Sequence, residues 1–150
     1  MLDVLDEDSK KKLYNSSLQT GDVFLKEFKE ASHKKFFIVA GLSQDKVYLC
    51  SVFINSKIHP SIYNKSKQLE LQLPLKKINN SFLKYDSYVN CAYPMRLDSS
   101  KIIDSIIKKE CTIIGKVDNT DLLSIQDMII NSGLLSEEEI EMFFSNNTKF

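Results

Sequence analysis

Residues 79–94 read NNSFLKYDSYVNCAYP, and this stretch decides how the rest of the 150-residue chain is organised. It concentrates aromatic, carboxylate, hydroxyl and amide groups in a sequence otherwise rich in Ile, Leu, Lys and Asn. Val89 and Cys91 alternate with Tyr88 and Asn90, the period of two that marks a strand with unlike faces. Lys84, Tyr85, Asp86 and Ser87 lie on the run-in to that strand. Such a cation, phenol, carboxylate and hydroxyl suit the binding of a polar ligand, and equally suit a well-bonded strand start.

Upstream, Leu69, Leu71, Leu73 and Leu75 alternate with Glu70, Gln72 and Pro74, which predicts a strand with one buried face. Pro74 places it at a sheet edge or a strand end. Residues 55–67 are polar and hold His59-Pro60, an exposed loop in which the proline keeps His59 extended. Phe36 to Ala40 is a continuous apolar run of central-strand length, and Val47 to Ile54 continues a hairpin across the turn residues 41–46. Gly21-Asp22 turns the chain into a first strand, Val23-Phe24-Leu25, and residues 26–35 form a charged connection. Residues 8–17 read as a short helix or ordered arm anchored by Leu13 and Tyr14.

Downstream, Asp98 to Lys101 start a helix with Ile102, Ile103, Ile106 and Ile107 on one face, ending near Lys109. Cys111 to Val117 is the last strand. Asp118-Asn119-Thr120 caps a second helix, in which Leu122, Ile125, Met128 and Ile129 share a face and Gly133 is the stop. Ser136 and Glu139 form a capping box for a third helix, stapled by Leu135 and Ile140 and ending near Phe144. Short strands without long helical crossovers predict a mainly β fold with α, a small bent antiparallel sheet or partly open barrel with C-terminal helices. The length suits one domain. Residues 1–19 form its N-terminal arm or helix, 20–117 the barrel with one inserted helix near 98–109, and 118–150 the C-terminal helices. Phe37, Val39, Leu71, Leu73, Val89 and Ile113 are its expected core.

Twenty basic and twenty acidic residues cancel, so no overall field recruits nucleic acid or membrane. Arg96 is the only arginine, which disfavours sequence-specific reading of duplex DNA. Cys50, Cys91 and Cys111 form no C-x-x-C pair and sit in or beside apolar runs, as buried free thiols of a reducing cytoplasm do. His33 and His59 lack a ligand pattern, so neither metal nor cofactor is expected. The acidic first residues and the lack of a long apolar run predict no signal peptide and no membrane association.

Gly21-Asp22-Val23, a cation before an apolar strand, a hairpin, and Ile114-Gly115-Lys116 leading into 122–130 resemble the PemK/MazF-type toxins over residues 20–131. That resemblance implies an SH3-like barrel, usually a homodimer, that cleaves single-stranded RNA without metal and is inhibited by an antitoxin-like protein. Two positions depart from the family pattern. Lys34-Lys35 stands before Phe36 where the family has Arg-Pro, and only Ser56, after Phe53-Ile54-Asn55, can supply the family's hydroxyl.

Cleavage by the 2′-hydroxyl needs a base, a cation at the phosphate and an acid for the leaving oxygen. His33, Lys34 and Ser56 are the catalytic candidates on that reading, and Lys35, Asp86, Ser87 and Arg96 the substrate-binding ones. Each has a structural alternative. The 33–35 run is also a solvated connection, Arg96 is also a partner for Asp98, and Asp86 and Ser87 also fix the turn into the strand. Tyr85, Tyr88 and Tyr93 suit either base stacking or strand packing. The expected function is a toxin or toxin-derived endoribonuclease. The alternative is the same barrel without chemistry, binding RNA or a protein partner, in a mobile-element or defence locus. A further alternative is a partner docked on the C-terminal helices.

Overall fold

The computed structural model describes residues 6–27 and 34–145. They form a six-stranded antiparallel sheet that is not closed, with helices on both faces. The strands are β1 (Asp22–Glu27), β2 (Lys34–Leu42), β3 (Tyr48–Asn55), β4 (Gln72–Leu75), β5 (Ser87–Asp98) and β6 (Cys111–Lys116). Their spatial order is β4-β5-β3-β2-β1-β6. The helices are α1 (Glu7–Ser17), α2 (Ser66–Glu70), α3 (Ser99–Ile107), α4 (Asn119–Asn131) and α5 (Glu137–Phe144).

The continuous apolar run of β2 is explained by burial on both faces. Ile38 and Ala40 join one core cluster with Val52, Val89, Ile125, Ile129 and Phe144. Phe37 and Val39 join the other with Leu18, Phe24, Leu49 and Ile102. Helices α4 and α5 cover the first face, and α3, with α1 against it, covers the second.

The connection after β4 crosses to α4. Asn80, five residues past Leu75, bonds Asp118 and Asp121, which follow β6 at the opposite edge of the sheet. Phe82 on the same connection packs 3.3 Å from where a Cβ on Gly115 of β6 would stand. The fold is mainly β with α, as expected, and the six-stranded antiparallel sheet is not closed into a barrel.

Local signals account for most ends. Asp6 caps α1 by accepting from Ser9 N–H, Asp118 caps α4, and Ser136 with Glu139 forms the capping box of α5. Leu135 and Ile140, the staple pair, both pack against the core. A β-bulge between Val39 and Gly41 takes the Ala40 carbonyl out of the ladder, and Gln126 Nε2 of α4 donates to it at 2.9 Å. Gly21 adopts φ +91, a conformation that favours glycine, at the start of β1. Cys50, Cys91 and Cys111 are free and buried.

Some expectations change. Ile113 is 41% exposed although it shares a face with the buried Cys111, because β6 is an edge strand with too few neighbours to cover it. Leu69 belongs to α2, and β4 begins at Gln72, which is itself buried; Leu71 and Leu73 are half-buried and Leu75 is the buried leucine of the strand. Pro74 does mark an edge strand. Tyr85 and Tyr93 are 59% and 62% exposed, so neither is core; Tyr93 rides on a bulge where β5 has three more residues than β3. Among the described residues no helix is long and apolar enough to cross a membrane.

Candidate functional site

Antiparallel pairing sets Phe36 opposite Ile54 and Asn55 opposite Tyr88. The start of β2, the end of β3 and the start of β5 therefore meet at one end of the sheet. A cleft of about 540 Å³ opens there. The sheet contributes Lys34, Lys35, Phe36, Ile54, Asn55, Ser87 and Asn90 to its walls. The segment after β3 contributes Ser56, Lys57, His59, Pro60 and Ile62, and the connection before β5 contributes Leu83, Lys84 and Tyr85.

Four lysines and a histidine thus line one cleft of a chain whose formal net charge is zero. Among the described residues no carboxylate lines it. Lysine ammoniums attract phosphate as point charges, and a concave wall strengthens their summed field. Lys35 Nζ donates to Asn55 Oδ1 at 3.2 Å and lies 5.8 Å from the centroid of the Phe53 ring. His59 caps the short 3₁₀ turn Pro60–Asn64: its Nδ1 accepts from Ser61 N–H at 3.2 Å and lies 2.8 Å from Ser61 Oγ. Tyr85 stands at the rim with its ring largely in solvent.

The sequence candidates separate into groups. Lys34, Lys35, Ser56 and Ser87 come together in the cleft, while His33 lies outside the described residues. Ser87 donates through Oγ to the Tyr85 carbonyl at 2.9 Å and is 5% exposed, so its visible work is to hold the run-in to β5. Asp86 adjoins the cleft without lining it. Its carboxylate accepts from Lys77 N–H at 2.9 Å and meets Lys76 Nζ at 3.7 Å, which fixes the turn Lys77–Asn79.

Arg96 is not near the others. It pairs with Cys50, five residues along β3 from Asn55, or about 17 Å. Its guanidinium sits 4.2 Å from the Tyr48 ring centroid, not on Asp98.

Asn55, Asn90, Lys57 and His59 line the cleft and were not singled out as site residues by the sequence. Asn55, Lys57 and His59 follow one another at the end of β3, and the β3–β5 pairing brings Asn90 beside them. Lys84 and Tyr85 were legible as part of the polar run-in. Among the described residues no three His, Cys, Asp or Glu side chains gather as a metal-ligand set. No family model matches the chain, and no curated protein matches it.

Proposed function

We propose that the protein binds single-stranded RNA in this cleft. The observation that carries the reading is the segregation of charge: Lys34, Lys35, Lys57 and Lys84 share one concavity, and among the described residues no carboxylate lines it. The exposed Tyr85 ring beside them offers a surface on which an unpaired base stacks. The opening between strand ends suits a single strand, whose bases are accessible, better than a duplex whose edges are paired. Three buried free thiols fit a reducing cytoplasm, where such RNA is found.

A second reading adds chemistry. His59 and Ser56 share the cleft with Lys34 and Lys35, so a proton-transfer group and cations for a scissile phosphate stand on one wall. This is the arrangement that a toxin-type, metal-independent endoribonuclease would use, and it would leave a cyclic phosphate end.

Fluorescence anisotropy with an unstructured RNA oligomer tests the binding reading. Affinity should fall as salt rises, with a log–log slope of about 0.7 per phosphate contacted. Lys57→Ala and Lys84→Ala should each weaken binding and flatten that slope. Absence of binding at low salt removes the proposal. The same RNA incubated in chelator separates the two readings: intact RNA leaves a binding module, and cleavage lost in His59→Ala supports the nuclease.

A further inference from the structure

We infer that the cleft has fixed walls and one hinged wall, residues 56–65, which closes on the bound strand. The inference rests on the RNA-binding reading of the same cleft.

The fixed walls are anchored from several sides. On the connection before β5, Asn80 bonds Asp118 and Asp121 at the start of α4. Leu83 is 4% exposed, and its N–H donates to the Asn80 carbonyl at 3.0 Å. The Asp86 carboxylate accepts from Lys77 N–H. Lys84 and Tyr85 ride on this connection. Lys35 belongs to the sheet, where its Nζ donates to Asn55 Oδ1.

Residues 56–65 lack such anchors, yet Ser56, Lys57, His59, Pro60 and Ile62 line the cleft. None of the segment is buried, and only Ile58 and Ile62 are half-buried. Ile62 N–H donates to the His59 carbonyl and Lys65 N–H to the Ile62 carbonyl, both at 2.9 Å, and Ser61 N–H donates to His59 Nδ1. The Lys65 carbonyl accepts from Leu69 N–H of α2 at 2.9 Å. Among the described residues no hydrogen bond joins the segment to the sheet. Pro60 and the His59 cap stiffen its middle, so it moves as one body about Ser56–Lys57 and Lys65. Exposed side chains and bonds confined to the segment mark a low cost of local opening.

Charge gives the motion its direction. Lys57 on the hinged wall shares the cleft with Lys35 and Lys84 on the fixed ones, and among the described residues no carboxylate lines it. Like charges repel over a range of about 8 Å at physiological salt, which holds the cleft open without RNA. A phosphate between the walls replaces that repulsion by attraction to each, and the segment closes as a lid.

Spin labels on Tyr63→Cys and Ile78→Cys report the distance between the two walls by double electron–electron resonance. Both positions are exposed, at 60% and 91%, neither lines the cleft, and the native thiols are buried. Saturating unstructured RNA, with binding followed by anisotropy, should narrow the distribution and shorten the distance by more than about 2 Å, the scale of a loop rearrangement on binding. Lys57→Gln in the labelled protein should shorten it without RNA, because the repulsion is gone. A distance unchanged or longer with RNA bound overturns the closure and leaves the RNA site standing. A distance unchanged in RNA-free Lys57→Gln overturns the charge-driven hinge. Absence of RNA binding at low salt overturns the RNA reading and the closure on RNA together.

Discussion

Asn80 Nδ2 donates a 2.9 Å hydrogen bond to Asp121 Oδ2, tying the connection before β5 to the first turn of α4. The same nitrogen donates to the Lys76 carbonyl at 2.9 Å, and Asn80 Oδ1 accepts from Asp118 N–H at 2.9 Å. One side chain, 1% exposed, thereby ties the segment that carries Lys84 and Tyr85 to the start of α4. Asn80→Ala leaves the Asp118 N–H without its partner and should destabilise by about 1–3 kcal/mol. Denaturant unfolding measures this. A midpoint equal to that of the parent protein would show that the connection has other supports.

At Gly41 helix α5 lies directly against the sheet. A Cβ there would stand 2.8 Å from Phe143 Cβ and 2.9 Å from both the Phe143 carbonyl oxygen and Phe144 Cε1. Two of those neighbours are close to backbone and cannot swing aside. Gly41→Ala should therefore cost about 1–3 kcal/mol by overpacking. The loss should appear together with faster amide exchange across residues 137–144. A neutral substitution would mean that α5 shifts outward freely.

What the sequence made legible is mostly local. Ser136 with Glu139, Asp118 before Asn119, and Ile102 with Ile103 on α3 act within a turn or two of chain, and each is found in its expected role. The Phe36–Ala40 run announced a central strand because both of its faces needed an apolar environment. Ile113 misled because a strand at an edge has too few neighbours to cover every apolar side chain. Arg96 misled because its sequence distance from Ser87 hides the direction of β5, which carries it to the far end of β3. The cleft itself is a product of register: Asn55 and Asn90 have nothing in common until β3 and β5 pair.

Asp22 supplies a pH dependence with a definite sign. Its carboxyl is 8% exposed, and burial raises its pKa above the ordinary 3.8 despite the bond from Gln19 N–H and the charges of Lys116 and Lys46. A raised folded-state pKa means that the stabilising contribution is complete below 3.8 and is lost as pH rises through the folded-state value. Asp22→Asn keeps an oxygen for the Gln19 N–H and has no charge to desolvate. The variant should be the more stable protein at pH 7, and its advantage should shrink as pH falls towards 3.8. Parallel stability curves for the two proteins would mean that Asp22 does not titrate differently on folding.

Arg96 and Lys84 separate the cleft from charge in general. Arg96 is the only arginine of the chain, and on side-chain chemistry alone it would be the first choice for a phosphate ligand. The β3–β5 register carries it about 17 Å from Asn55, and its guanidinium is engaged over the Tyr48 ring. Lys84 lines the cleft. Arg96→Ala should therefore cost about 0.5–1 kcal/mol of stability through the lost ring contact and leave both RNA affinity and its salt slope as they were. Lys84→Ala should do the reverse, with stability nearly unchanged and the slope reduced by about 0.7. Measuring both quantities on both variants distinguishes a located site from diffuse attraction, because diffuse attraction would respond equally to the loss of either charge. Loss of RNA binding in Arg96→Ala, in a protein that remains folded, would move the site to the opposite end of β3.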